Sequence, residues 1–382
     1  MTELPELLNA RIQEVSRAGK LRRLYGRRGL DLTSNDYLGF ASDPVLKERL
    51  RATIKNQDIP LGASGSRLLR GQIEVFEKLE EKLALFSGKE SSLFFSSGYQ
   101  ANLGLYSTLL TPKDLVFSDE YNHASIIDGI KLSRSLCLVF PHNDVAALRE
   151  LLEKNKDHTG LKVICVESVF SMEGDFSPLE ELAELAHEYS CLFVVDEAHA
   201  TGVFGSGLVK TKNLRDKVFA TVHTAGKALG AAGAWIACDQ SFKEFLINFS
   251  RPFIYSTAPL PLMAPIIETA LDYLAEVGEK RAETALNLAT YLILKLENQQ
   301  AHYNFSLPDT KSCIVPLILG GTARTLVVAS KLQDHQYDVR AIRPPSVPEG
   351  TSRLRIVLNA KLTAGHIDSF VNDLFRVLKE CP

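Results

Sequence analysis

The sequence lacks the marks of several protein classes. No two of its six cysteines (Cys137, Cys165, Cys191, Cys238, Cys313 and Cys381) are spaced as a CxxC pair. Neither a zinc site nor a disulfide scaffold is expected; the cysteines read as reduced core residues of a cytoplasmic protein. Charge of one sign is missing too. The formal net charge over 382 residues is −3, which argues against a nucleic-acid or membrane partner recruited by bulk charge. The most apolar run, Ala228 to Cys238, is too short and Gly-rich for the roughly 20 residues of a membrane helix. The first residues, Met1-Thr-Glu-Leu-Pro-Glu6, are acidic with no apolar segment behind them, so no signal peptide is expected. Internal repeats and low-complexity tracts are absent.

What is present is a long alternation. Between about residues 90 and 240, short apolar runs such as Leu115–Asp119, Leu136–Phe140, Lys162–Ser168 and Cys191–Asp196 alternate with segments of helical spacing. That predicts an α/β fold with a mainly parallel sheet covered on both faces. Residues 3–19 have helical spacing, with Leu7, Leu8, Ile12 and Val15 on one face. Asp31–Phe40 reads as a strand entering a turn. Long helical patterns fill residues 261–298. The remaining tail, with strands near 313–319 and 353–358 and helices near 322–336 and 363–379, reads as a small α+β domain. The domain boundaries expected are 1–45, 46–262 and 263–382.

Three stretches carry chemistry. In Thr221-Val-His-Thr-Ala-Gly-Lys-Ala-Leu-Gly-Ala-Ala-Gly-Ala-Trp235, Lys227 stands among small residues that let a ligand approach. A desolvated amine is a nucleophile towards carbonyls; taken alone, the stretch equally fits an ordinary lysine on a Gly/Ala turn. Cys191-Leu-Phe-Val-Val-Asp-Glu-Ala-His199 reads as a buried strand delivering Asp196 to its C-terminal edge, where open α/β sheets bind ligands, with His199 just beyond. Ser92-Leu-Phe-Phe-Ser-Ser-Gly-Tyr-Gln-Ala-Asn102 reads as strand, turn and helix. The backbone N–H groups of Ser97, Gly98 and Tyr99 then form an anion cradle at the helix N-terminus. An amine, a carboxylate and an anion site are the parts that a pyridoxal phosphate site needs.

Lesser candidates surround these. His123 follows the end of a strand and is placed to stack on a planar cofactor, though a lone histidine is more often structural. Ser171 and Glu173 fall at the same edge. Arg22 lies in a basic run, Lys20–Arg28, that fits a small anion site or a solvated face. Arg343 sits on a loop braced by Pro344, Pro345 and Pro348, which suits a carboxylate contact or a plain surface loop.

The assembled stretches resemble the α-oxoamine synthases, fold-type-I enzymes that use pyridoxal phosphate. The matching segments are Ser34–Gly39, Gly62–Leu68, Ser97–Asn102, Asn122–Ser125, Ser171–Asp175, Asp196–Gly202, Thr224–Lys227 and Ile254–Thr257. The resemblance implies a large domain with a mainly parallel seven-stranded sheet, a small α+β C-terminal domain, and a homodimer with shared sites. It implies Lys227 as the Schiff-base lysine, Asp196 on the pyridinium nitrogen, His123 stacked on the ring and His199 near the phenolic oxygen. Ser171 would line the cofactor site. Gly98, Tyr99 and Thr224 would hold the phosphate, with Thr257 of the partner subunit. Asn35 and Arg343 would hold the amino-acid carboxylate, and Arg22 would lie near the acyl substrate. Within the family, Gly62–Leu68 and His142-Asn-Asp-Val145 look most like the branch that condenses L-alanine with a pimeloyl thioester, carried by CoA or acyl carrier protein. A sister branch uses glycine and a shorter acyl-CoA.

Two departures stand out. The segment between Tyr25 and Ser34 is shorter than the family's, and Ser346 stands where threonine is usual. Two readings from other classes fail. Asp196-Glu-Ala-His199 matches a helicase motif, but no P-loop accompanies it: Gly226-Lys227 is followed by Ala228, and Gly88-Lys89 by Glu90. A regulator without catalysis would not need the lysine, both histidines and both carboxylate-binding candidates.

Overall fold

The computed structural model describes residues 3–17, 19–24, 26–55 and 58–381; Tyr25, at one departure from the family pattern, lies outside them. The chain divides into two compact units. The larger is Asn35–Ser171 with Asp175–Glu283; the smaller is Met1–Ser34 and Thr284–Pro382 with Met172–Gly174.

Seven strands build the larger unit: β1 Ser91–Phe95, β2 Leu115–Asp119, β3 Leu136–Phe140, β4 Lys162–Glu167, β5 Leu192–Asp196, β6 Ala220–Thr224 and β7 Ala234–Cys238. Their order in the sheet is β1-β7-β6-β5-β4-β2-β3. β7 is antiparallel to both neighbours, and all other pairings are parallel. Six strands therefore run one way, as the alternation predicts, and their C-terminal ends share one edge. The inner strands are near-continuous apolar runs because both faces are covered. Their period of two sends Val116, Val163, Cys165, Val194 and Val222 into one core and Phe117, Ile164, Val166, Phe193 and Val195 into the other.

Six helices flank this sheet in sequence: α1 Glu74–Ser87, α2 Gly98–Leu109, α3 Ala124–Ser133, α4 Val145–Lys154, α5 Leu179–Glu188 and α6 Gln240–Phe249. Ala101, Leu105 and Leu109 of α2 join the first core, and Leu179, Leu182, Ala183 and Ala186 of α5 join the second. These are the three- and four-residue spacings of an amphipathic helix.

Helix α7, Met263–Glu297, begins in the larger unit and ends in the smaller. The smaller unit adds β8 Ile314–Gly320, helix α8 Thr322–Asp334, β9 Arg340–Ile342, β10 Ser352–Val357 and helix α9 Ala364–Glu380. Its three strands are antiparallel in the order β9-β10-β8. Val328 and Leu332 of α8 and Phe370 and Leu374 of α9 share a core with Leu317, Leu354 and Ile356. This is the expected small α+β region. Residues up to Ser34 belong to this unit because Leu30–Asp31 pairs with Tyr337–Asp338 and Leu32 lies in its core. The compact units are thus cut elsewhere than at 45/46 and 262/263.

Other local expectations change. The strand expected over Asp31–Phe40 is reduced to Leu30–Asp31, and the chain then turns through Gly39 at φ 70°. Cys137, read as a core residue, is exposed, because β3 is an edge strand whose Leu136 and Val139 also face solvent. The helix Glu3–Arg17 forms, but its stripe of Leu7, Leu8, Ile12 and Val15 is exposed.

One clasp fixes the loops beyond β2 and β3. His142 pairs through Nδ1 with Asp119 at 2.9 Å and through Nε2 with Asp175 at 2.8 Å, and stacks on Tyr121 at 4.5 Å. Burial alone would lower the imidazole pKa; the bonds to both carboxylates outweigh it and raise the pKa from 6.5 to about 10. The native state therefore holds this proton more tightly than the unfolded chain. The resulting stability is complete below pH 6.5 and is lost as pH rises through 10. Denaturant midpoints for His142→Gln should lie below wild type at pH 6, and the gap should narrow steadily towards pH 10; a gap independent of pH would refute the clasp.

Candidate active site

A cavity of about 390 Å³ opens in the larger unit where the strands end. Ser96, Ser97, Gly98 and Tyr99 reach it from the end of β1, Glu167 from β4, Asp196 from β5 and Thr224 from β6. His123 and Ser125 follow β2, Asn102 comes from α2, Lys227 from the β6–β7 loop, and Asn35 from the segment before β1.

The corner between β1 and β6 is built for an anion. Ser97 caps α2, its Oγ accepting the Gln100 N–H at 3.2 Å and its carbonyl the Ala101 N–H at 3.0 Å. The first N–H groups of a helix have no acceptor inside it, so those of Gly98 and Tyr99 remain for a ligand. Opposite, Thr224 is buried, and its Oγ1 has no hydrogen-bond partner. Buried hydroxyls are normally paired, so this one marks a place for a bound acceptor. Gly98 is required there: a Cβ would stand 2.7 Å from Thr224 Cγ2. A phosphate monoester fits this corner in charge and donor set.

The floor is polar and ordered. Asp196 Oδ1 accepts the Ala198 N–H at 2.8 Å, and Oδ2 accepts Asn102 Nδ2 at 2.7 Å. Glu197, next in sequence, serves a different end: it accepts from Ser168 Oγ at 2.6 Å and from the N–H groups of Leu208 and Val209. Burial pushes its carboxyl up to about 7, against those bonds. His123 caps α3, its Nδ1 accepting the Ser125 N–H. Desolvation lowers its pKa and favours the neutral ring; the Asp196 charge opposes this and the Lys227 charge adds to it.

Lys227 is half-buried on a tight loop. The Ala231 N–H bonds the Ala225 carbonyl and the Gly230 N–H bonds the Lys227 carbonyl, both at 2.9 Å. Gly230, at φ 62°, passes so close to Phe40 and Ala41 that a Cβ would overlap their backbone. The small residues around the lysine thus serve loop closure as well as access.

Of the residues singled out from sequence, the cavity gathers Asn35, Gly98, Tyr99, His123, Asp196, Thr224 and Lys227. His199 is buried outside its wall, its Nδ1 2.6 Å from the Tyr37 hydroxyl, which in turn reaches Asn35 Oδ1 at 3.3 Å. Ser171 is half-buried and does not line it, and Thr257 is exposed. In the smaller unit, Arg343 donates to the Leu21 carbonyl at 2.8 Å, while Arg22 and Ser346 are exposed. Sequence reasoning assigned no role to Asn102, Ser125 or Tyr37. Asn102 had a usable signal: it lies four residues after Gly98, on the same helical face.

The sequence pattern of aminotransferase class I and II matches residues 27–374. The chain belongs to that family. Among its relatives, the 8-amino-7-oxononanoate synthase of Lysinibacillus sphaericus is 38% identical over 359 residues, covering 93% of this chain and 90% of that one. Among solved structures, serine palmitoyltransferase of Sphingomonas wittichii superposes with a TM-score of 0.87 at 25% identity, covering 100% and 99% of the two chains. The S. paucimobilis serine palmitoyltransferase, solved with a bound PLP–myriocin aldimine, matches at 0.87 and 26%, covering 98% and 97%.

Proposed function

We propose that this chain is a pyridoxal-phosphate acyltransferase that condenses L-alanine with a pimeloyl thioester. The products are 8-amino-7-oxononanoate, the free thiol of CoA or acyl carrier protein, and carbon dioxide, a step of biotin biosynthesis. One observation carries the reading. An amine, a carboxylate and a phosphate corner share one cavity, in a chain 38% identical to an 8-amino-7-oxononanoate synthase over nearly its whole length.

When bound, pyridoxal phosphate supplies an aldehyde for covalent attachment and a ring that accepts electron density. The residues do the rest. Gly98 and Tyr99 N–H groups and Thr224 Oγ1 hold the phosphate, joined by Thr257 of the partner subunit. Asp196 would pair with the ring nitrogen and keep it protonated, and His123 would lie against the ring. Tyr37 holds His199, which would approach the phenolic oxygen, and Ser171 would complete that side. Lys227 Nζ would hold the aldehyde of the bound group and, when freed by alanine, would take the proton from the alanine Cα. That carbon bonds to the thioester carbonyl carbon, the C–S bond breaks and the thiol leaves with a proton. The alanine carboxyl departs as carbon dioxide, and Cα is reprotonated. Asn35, Arg343 and Ser346 are assigned to the amino-acid substrate and Arg22 to the acyl substrate, on the resemblance.

A homodimer is part of this reading. It is supported by the exposed apolar stripe Leu7, Leu8, Ile12 and Val15 and by the position of Thr257 outside the single-chain cavity. Cytoplasmic location is supported by six free thiols. Among the described residues, no helix is long and apolar enough to cross a membrane.

Thiol release from purified holoenzyme tests the reading, with L-alanine and glycine each paired with pimeloyl-CoA and acetyl-CoA. Release with alanine and pimeloyl-CoA is expected; release only with glycine and acetyl-CoA would replace the assignment by the sister reaction. Lys227→Ala should lower turnover by roughly 10²–10⁴-fold or more while still binding cofactor, and wild-type turnover in that variant would end the mechanism. Gly98→Ala should weaken pyridoxal phosphate binding about tenfold or more. Adding Thr224→Ser, which keeps the hydroxyl and removes the opposing methyl, should recover part of the loss. Absorbance titration reads both, and an unaffected Gly98→Ala variant would place the phosphate elsewhere.

A further inference from the structure

The link between Asp196 and His123 is a chain of side chains to which no role has been given. Asn102 is 2% exposed. Its Nδ2 donates to Asp196 Oδ2 at 2.7 Å and to Ser125 Oγ at 3.0 Å. A carboxamide nitrogen has two hydrogens, and both are used. Turning the amide over would set Oδ1 against a carboxylate oxygen at the same short distance, so its orientation is fixed. Ser125 Oγ accepts from Asn102 and lies 2.8 Å from His123 Nδ1. A hydroxyl has a single proton, and with Nδ1 accepting the Ser125 N–H that proton is the one left to make this contact. The Ser125 N–H also donates to Nδ1, at 3.2 Å. Nδ1 is therefore an acceptor twice over, and the neutral ring carries its proton on Nε2.

We propose that Asn102 is a positioning residue. As a double donor it orients the Asp196 carboxylate and, through Ser125, selects the tautomer of His123, so the two side chains that meet the cofactor ring are set together. The proposal rests on the proposed function in assigning Asp196 and His123 to that ring; the hydrogen-bond chain itself does not need it. The competing explanation is that Asn102 merely fills space.

Two substitutions separate these. Asn102→Asp keeps shape and volume but puts a carboxylate against Asp196, whereas Asn102→Ala loses both volume and donors. If donation matters, Asp is the worse variant; if volume matters, Ala is. Pyridoxal phosphate affinity of the full-length protein at pH 7.5 should be about tenfold or more weaker in Asn102→Asp than in Asn102→Ala. Without cofactor, the melting temperature of Asn102→Asp should fall more steeply than that of wild type as pH rises from 5 to 8. The carboxyls at 102 and 196 resist ionising together, so the native state holds a proton that the unfolded chain releases. The other ionisable groups around this position are Glu167, His123 and Lys227 on the cavity wall and Tyr106 one turn along α2. These groups, like the His142 clasp, are common to all variants, so wild type and Asn102→Ala should show only the shallower slope they share.

Wild-type affinity and a melting slope equal to that of wild type in Asn102→Asp would overturn the proposal while leaving the enzymatic reading intact. A wild-type chain that binds no pyridoxal phosphate, beside an Asn102→Asp variant with the steeper pH slope, would sink the reading and keep the chain of bonds. Should Asn102→Asp fail to fold at either pH, Asn102→Leu decides by volume without donors. An affinity loss of about tenfold or more supports the proposal, and wild-type affinity overturns it.

Discussion

The site depends on one constraint: six strands of one sheet end along the same edge. The register then decides which ends meet. Ala234, at the start of antiparallel β7, pairs with Phe95 on one side and Thr224 on the other. The ends of β1 and β6 are thus a single strand apart, which is why the start of α2 confronts Thr224 across a gap too small for one extra carbon. On the other flank Asp196 is aligned with Glu167, so the acidic end of β5 lies beside another carboxylate. Neither arrangement needs a dedicated loop. Both follow from strand order and from helices that begin where strands stop.

Burying charge at such an edge costs free energy unless each group is paired. The larger unit meets that demand repeatedly. Arg67 and Lys243 both reach Glu80 beneath β1, at 2.9 and 3.0 Å. Glu197 is held by a serine and two backbone donors. His142 is held by two aspartates. Against that background the unpaired Thr224 hydroxyl is informative. A buried donor without an acceptor, facing a helix N-terminus, points to a ligand that brings the missing oxygen.

Much of this was legible in the sequence. Continuous apolar runs ending in Asp196, Asp119 and Ser96 announced buried parallel strands and the edge at which they deliver polar groups. The cradle at Gly98 was legible because a helix N-terminus follows directly from strand–turn–helix spacing. Less legible were contacts set by register. Nothing local tells that Asn102 reaches Asp196, 94 positions away, or that Tyr37 reaches His199 at a separation of 162. Solvent exposure also escaped the pattern. Leu136-Cys-Leu-Val-Phe140 is as apolar as the inner strands, yet it is the edge, because apolarity records strand tendency and not the number of neighbours. The stripe on Glu3–Arg17 shows the same limit: helical spacing specifies a face and does not say what covers it.

Fold and substrate are separate inferences here. Serine palmitoyltransferases superpose at a TM-score of 0.87 with only 25–26% identity, so the backbone reports the scaffold and does not select among amino-acid and acyl substrates. Identity of 38% to an 8-amino-7-oxononanoate synthase bears on the side chains that do select. Lys227, Asp196 and the phosphate corner answer needs common to any pyridoxal-phosphate chemistry; substrate choice must fall to groups outside that set. The smaller unit holds Arg22, Arg343 and Ser346 on irregular segments, which can vary without disturbing either core. The division of labour follows from the physics. Strand ends held by two cores keep the cavity's groups in register, while the proposed function leaves specificity to segments where changes are least costly to the fold.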